Sequence, residues 1–295
     1  MSRIALDLPP TDALPGLGRR SLIMGIVNAT PDSFSGDGVA ARRDPVAAAV
    51  ERAAVMIAEG ADMLDIGGES TRPGSIPVSA EEEKRRVLPV LAEIRRQFPS
   101  TPLSIDTMKA EVAAAALAMG VAMINDVSAL GDPAMAPLAA KTGAYLVLMH
   151  NRGDAAAVTQ DPKLGGQYEA PVYANIVADV ARDLARPFEI AVRAGVAPEK
   201  VILDPGLGFG KTAEQNCTLI RHIDKLGSMM KCRTLLGPSR KGFIGRILDA
   251  SVDDRLAGTA ASVAVGVFCG ANILRVHDVK FMARVAKMAA AIRAR

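Results

Sequence analysis

A chain of 295 residues with 49% apolar and 23% charged side chains has the make-up of a soluble globular protein and not of a disordered one. Its 35 Lys and Arg stand against 32 Asp and Glu, a net charge of +3 with the basic residues scattered, and 7 Phe, 3 Tyr and no Trp make no stacking platform, so nucleic acid is not an expected partner. Three cysteines, Cys217, Cys232 and Cys269, contain no Cys-x-x-Cys pair; that excludes a disulfide scaffold and a structural zinc site and fits a reducing, cytoplasmic compartment.

Residues 1–20 hold Pro9, Pro10, Pro15 and Gly18 but no apolar signal-peptide segment, and read as an extension covering the floor of a domain at 21–295. From there, short apolar runs alternate with Ala-rich amphipathic stretches. The runs predict strands at 22–27, 63–66, 103–105, 122–124, 145–149, 201–203, 234–236 and 273–276. Helices are predicted at 45–59, 80–97, 109–119, 133–141, 173–194, 212–225, 240–248 with 255–268, and 279–294. Asp44-Pro45, Ser79 and Asp132-Pro133 mark helix starts, and Gly60, Gly120, Gly143, Gly195 and Gly227 mark stops. Eight strand–helix units predict an α/β single-domain (β/α)8 TIM barrel. A doubly wound sheet would need a Gly-rich dinucleotide turn after the first strand, and none is present.

Residues 256–274 carry no charge and include Gly266-x-x-x-Gly270, the pattern of a membrane helix. Three glycines and the polar Thr259, Ser262 and Asn272 interrupt it, so no membrane span is expected. The uncharged helix at 257–268 instead predicts a homodimer, with Val263 or Val265 on its outward side.

Every run ends in polar residues: Asn28, Asp65 leading to Gly67-Gly68-Glu69-Ser70-Thr71-Arg72-Pro73-Gly74, Asp106, Asn125-Asp126, His150, Asp204, Ser239-Arg240-Lys241, and Arg275-x-His277-Asp278. Barrel enzymes place their chemistry on that rim. Helix capping accounts for single cases but not for the whole ring. No nucleophile elbow, reactive cysteine or zinc cluster is present. The 204–211 segment imitates a phosphate loop, yet Gly206 and Gly210 enclose three residues where that loop has four. Asp106, Asn125 and Asp204 suit a flat heterocycle with N–H donors, whereas Asn28, Arg72, Arg275 and His277 suit an anion. Glycines flank the 32–38 and 71–72 segments, which read as lids. The set predicts direct transfer from a substrate with a diphosphate leaving group, helped by Mg2+.

The strings Met24-Gly-Ile-Val-Asn28-Ala-Thr-Pro-Asp32, Asp65-Ile-Gly-Gly-Glu-Ser-Thr-Arg-Pro-Gly74, Ser104-Ile-Asp-Thr107, Asn125-Asp-Val-Ser128, Asp204-Pro-Gly-Leu-Gly-Phe-Gly-Lys211, Ser239-Arg-Lys241 and Arg275-Val-His-Asp278 resemble the dihydropteroate synthase family, in order, over 22–294. The resemblance implies a barrel, usually dimeric, that joins p-aminobenzoate to 6-hydroxymethyl-7,8-dihydropterin diphosphate in folate biosynthesis. It implies that Asp106, Asn125, Asp204 and Lys241 hold the pterin, with Met149 lining the pocket and Arg275 stacking on the ring. Asn28 would bind Mg2+, and Arg275 and His277 the diphosphate. Thr71, Arg72, Pro73, Phe209 and Lys241 would frame the p-aminobenzoate. Asp106, Lys241, Asp204 and Arg72 are the expected catalytic residues, working on a pterin cation left after diphosphate departs.

Two departures stand out. The first lid reads Ser35-Gly36-Asp37-Gly38, with its carboxylate shifted by one place, and Gly242 follows Lys241 where a hydroxyl residue is usual. Two other readings share the acidic residues: a pterin-binding methyltransferase barrel, which would need a corrinoid partner domain, and a non-catalytic pterin- or folate-binding paralogue.

Overall fold

Successive side chains of a strand point to opposite faces, so a closed parallel barrel needs one set of alternate residues to fill its inside and the other to meet the helices. The computed structural model describes residues 13–30, 44–70, 75–153, 158–161 and 163–294. Its strands are β1 (Leu22–Asn28), β2 (Met63–Gly67), β3 (Leu103–Asp106), β4 (Met123–Asp126), β5 (Tyr145–Met149), β6 (Val158–Asp161), β7 (Gly165–Tyr168), β8 (Val201–Asp204), β9 (Arg233–Leu236) and β10 (Ile273–Val276). Eight of them close in the order β1-β10-β9-β8-β5-β4-β3-β2, and β6 and β7 form a separate antiparallel hairpin. The helices are α1 (Pro45–Ala58), α2 (Ala80–Gln97), α3 (Ala110–Ala118), α4 (Met135–Thr142), α5 (Ile176–Arg193), α6 (Ala213–Arg221), α7 (Ile223–Met230), α8 (Gly242–Leu248), α9 (Leu256–Phe268) and α10 (Val279–Arg293).

The two residue sets build two cores. Outward-facing Ile23, Leu64, Ile105, Ile124, Leu203 and Leu274 pack against the helices. Inward-facing Leu22, Met24, Met63, Met123, Tyr145, Ile202 and Ile273 fill the lower half of the barrel. Leu14 and Leu17, which are fully buried, belong to this inner cluster, so the segment before β1 closes the floor. Apart from buried Ser104 and Arg233, the lower barrel is apolar, and the polar side chains of the mouth sit further along the same strands.

Several boundaries differ from the sequence reading. The helix expected at 212–225 is two helices that meet at His222, and Gly227 lies inside α7 instead of stopping it. The stop is Lys231, which adopts the left-handed conformation at φ 52°. Asp132-Pro133 precedes α4 without starting it; Asp132 instead accepts from Ala134 N (2.9 Å) and Ala110 N (2.8 Å), tying α4 to α3. The β6–β7 hairpin, between β5 and α5, was not anticipated. Val263 was expected on the outside of α9 as one of two choices, but it is fully buried, because α9 turns that face onto the barrel and exposes Val265. Among the described residues, no helix is long and apolar enough to cross a membrane.

Candidate active site

Strand register collects the rim residues. Asn28 stands opposite Gly67, Gly67 opposite Asp106, and Asp106 opposite Asn125. On the far side Met149 stands opposite Asp204. Gly67 has no side chain between them: a Cβ there would lie 3.4 Å from that of Asp106.

Arg275, rising from β10, joins the two carboxylates of the near side. Its Nε donates to Asp65 Oδ2 at 2.6 Å and its Nη2 donates to Asp106 Oδ2 at 2.6 Å. Asn125 Nδ2 donates to the same Asp65 oxygen at 2.9 Å. Charges this deep persist only when paired and hydrogen-bonded, and this network meets both conditions. Asp65 Oδ1 and Asn125 Oδ1 remain buried acceptors with no partner among the described residues, a surplus that suits a ligand rich in N–H donors. Burial, reinforced by the Asp65 and Glu83 charges, pushes the Asp106 carboxyl up to about 7, against the pull of Arg275 and Lys241. Burial also raises the Asp204 carboxyl, opposed by the Gly206 N–H, which donates to Oδ1 at 2.7 Å, and by Lys241, Arg275 and Lys211.

The second wall is apolar. Met149, Phe209 and Tyr168 form a small buried cluster, with the Tyr168 and Phe209 rings stacked at 5.9 Å. Lys241 Nζ sits 4.3 Å from the Phe209 ring centroid, close enough for a cation–π contact. Tyr168 comes from the hairpin, whose Leu164 carbonyl accepts from Arg255 Nη2 at 3.0 Å. His277 lies just past β10, where Ser239 Oγ meets both its backbone N (3.2 Å) and its Nδ1 (2.9 Å). The ring is thereby oriented ahead of α10. His150 is a supporting residue: Nε2 contacts Asp183 at 3.0 Å, and burial lowers it to about 4, so it is neutral.

Of the residues singled out in the sequence, Asp106, Asn125, Met149, Asp204, Phe209, Lys241, Arg275, His277 and Asn28 are all at this end of the barrel. Thr71, Arg72 and Pro73, and Asp37 of the first lid, lie outside the described residues. Asp65 was named with the rim but given no role, and Tyr168 was missed. An acidic residue two places above the floor residue Met63, in an otherwise apolar strand, was a readable sign of an inward-facing charge.

Comparison with known proteins decides what this mouth belongs to. The family model described as pterin binding enzyme matches residues 24–277. A dihydropteroate synthase of Synechocystis sp. is 40% identical over 287 residues, covering 97% of this chain and 94% of that protein. The crystal structure of the Clostridium difficile dihydropteroate synthase with pteroic acid superposes with a TM-score of 0.83 at 39% identity, covering 94% of this chain and 98% of that one. The Xanthomonas albilineans enzyme with 4-aminobenzoic acid gives a TM-score of 0.83 at 40% identity, covering 94% of each chain. The chain belongs to the dihydropteroate synthases of the pterin binding enzyme family.

An ionised carboxylate offers two acceptor oxygens to a ligand's N–H donors, whereas the neutral acid turns one of them into a donor. With Asp106 titrating near 7, a pterin should bind more tightly as pH rises to that value and about tenfold more weakly per unit below it. Calorimetric titration on the acid side of neutrality checks this. Asp106→Asn should remove the slope, and a flat wild-type profile would contradict the ionisation assigned here.

Proposed function

We propose that the chain performs its family's reaction dissociatively, with the pterin held by the carboxylate wall and the p-aminobenzoate by the Phe209 wall. The observation that carries this reading is the pair of buried carboxylates, Asp106 and Asp204, set in one mouth with the cationic Arg275 and Lys241. In the first step the C–O bond between the pterin methylene and diphosphate breaks, and its electron pair leaves with the diphosphate. The methylene cation is spread over the pterin ring. Asp106 and Asp204, fixed in advance and partly dehydrated, stabilise that charge as it develops. The aryl amine then forms the C–N bond with its lone pair, and the proton it sheds passes to water or to the released diphosphate. A neutral nucleophile meeting a cation needs no strong base.

Arg275 and His277, ahead of the α10 N-terminus, are suited to the departing anion. The edge of Arg275 is engaged by Asp65 and Asp106, which leaves its planar face for the ring. Lys241 lies between both ligands, over the Phe209 ring. The resemblance adds Thr71, Arg72 and Pro73 to the benzoate side. The pteroic acid in the Clostridium difficile structure and the 4-aminobenzoic acid in the Xanthomonas albilineans structure support both substrate classes.

Mg2+ fits this site in one manner only. The described residues hold no cluster of three or more His, Cys, Asp or Glu able to cage a metal, and Asn28 offers one neutral oxygen. Such a donor suits an ion carried mainly by diphosphate and water, as Mg2+ commonly is. Bound there, Mg2+ would neutralise the leaving diphosphate. Asn28→Ala should therefore reduce diphosphate release by tenfold or more, on the order of one lost charge-assisted contact. The same variant should bind a pterin lacking diphosphate as the wild type does. Equal losses for both ligands would overturn the assignment.

The homodimer belongs to the same reading. On α9 the exposed side is Leu256, Ala257, Ala261, Val265 and Phe268, and α8 adds exposed Ile247 and Leu248. No charge interrupts α9, and an uncovered apolar face of this kind calls for a partner. A two-fold axis would set the patch against itself. Val265→Glu should split the dimer or precipitate the protein in light scattering. A wild-type mass of one chain would refute the dimer.

A further inference from the structure

The segment that imitates a phosphate loop ends in a lysine, and in such a loop the lysine reaches out to an anion. Lys211 does the opposite. It is 3% exposed, and its Nζ donates to Phe209 O at 2.8 Å and Gly206 O at 2.9 Å, with His150 O at 3.4 Å. An ammonium has three N–H donors and no acceptor, so three carbonyls match it completely.

Those carbonyls come from the pieces that shape both walls of the site. Gly206 supplies the N–H that holds Asp204. Phe209 carries the ring under Lys241. His150 follows Met149, and its own N–H donates to Asp204 O at 2.9 Å. The loop is pressed hard against the end of β5: a Cβ on Gly206, whose φ is +66°, would fall 1.8 Å from His150 O. Carbonyl dipoles converging in a dry space repel one another unless a cation sits among them. Other anchors hold the rest of the loop, since Asn216 Oδ1 accepts from Gly208 N at 2.8 Å and Tyr173 donates to Gly210 O at 3.0 Å.

We propose that Lys211 is a positioning residue for both substrates, a buried cation that clamps the Asp204–Phe209 loop to β5 and so sets the Asp204 carboxylate and the Phe209 ring. This rests on the assignment of Asp204 to the pterin and Phe209 to the p-aminobenzoate. Burial pulls the Lys211 ammonium down to about 7; Asp204 and Asp183 oppose that pull, while Lys241 and Arg152 add to it. The His150 ring, whose own ionisation Lys211 disfavours, stays neutral beside it. Once deprotonated, the amine donates only two hydrogens, and the clamp loosens. Pterin affinity therefore has an alkaline limb, opposite in sign to the acid limb set by Asp106.

The test compares the full-length wild type with Lys211→Met and Lys211→Gln. Lys211→Met should weaken pterin binding by about tenfold or more in calorimetry and raise the KM for p-aminobenzoate several-fold, with a smaller change in kcat at saturation. It should also abolish the alkaline limb. Lys211→Gln, which keeps two donors without charge, should recover part of the affinity but not the limb. A Lys211→Met protein that melts earlier while its pterin Kd, KM and pH profile stay unmoved would make Lys211 a folding residue and overturn the proposal. If Lys211→Met fails to fold, Lys211→Gln gives the same readings, and a wild-type profile with no alkaline limb overturns the proposal by itself. Asp204→Ala is the control for the underlying assignment: unchanged pterin affinity there would refute the site, whereas a loss there with Lys211→Met unmoved refutes only the clamp.

Discussion

A guanidinium inside a parallel barrel has lost most of its water, and removing one partner of such a buried pair costs about 3–5 kcal/mol. Arg275 is held against that cost by Asp65 and Asp106, and through Asp65 it is linked to Asn125. Strands β10, β2, β3 and β4 thus meet in one hydrogen-bonded ion cluster. Its geometry fixes where Asp106 can point and which acceptors remain for a ligand. Removing the charge of any one member leaves the others mispaired in a dry space, so the site is stabilised or lost as a unit.

The rest of the molecule keeps that cluster dry and still. Met24, Met63, Met123 and Ile273 fill the barrel beneath it, and Leu14 and Leu17 close the bottom. Because side chains alternate along a strand, the strand that gives Met63 to the floor gives Asp65 to the mouth, and the one that gives Ile273 gives Arg275. Across the mouth the problem is solved differently. There a loop, and not a strand, carries the Phe209 ring of the apolar wall, and Asn216, Tyr173 and Lys211 hold that loop in place.

Most of the fold was legible in the sequence because a helix-rich barrel repeats two strong periodicities, and the polar strand ends marked the rim. Asp106 and Asp204 could be found that way, since each ends a strand, as could Asn125, one residue short of the end of β4; Met149 came from the family resemblance. Asp65 was visible as a charge in an apolar strand but its role was not, because that role lies in a contact 210 residues away in the chain. The hairpin escaped because β6 is mostly exposed and β7 opens on two glycines, so neither shows the apolar run of a barrel strand. Val263 and Val265 are two apart on a helix without charges, where the sequence did not tell the packed face from the exposed one. Lys211 was misleading in a different way: the Gly-rich string around it matches an anion loop in composition, while its side chain is consumed by backbone carbonyls.

The measurement that bears most directly on the ion cluster is calorimetric pterin binding to Asp65→Asn. The substitution keeps the shape and removes the charge that anchors Arg275. If Arg275, Asp65 and Asp106 act as one unit, affinity falls by about a hundredfold or more, since breaking a buried pair costs at least about 3 kcal/mol, while the barrel stays folded. An affinity within about twofold of wild type would contradict the account, because the site would then be organised without the pair on which it is said to depend.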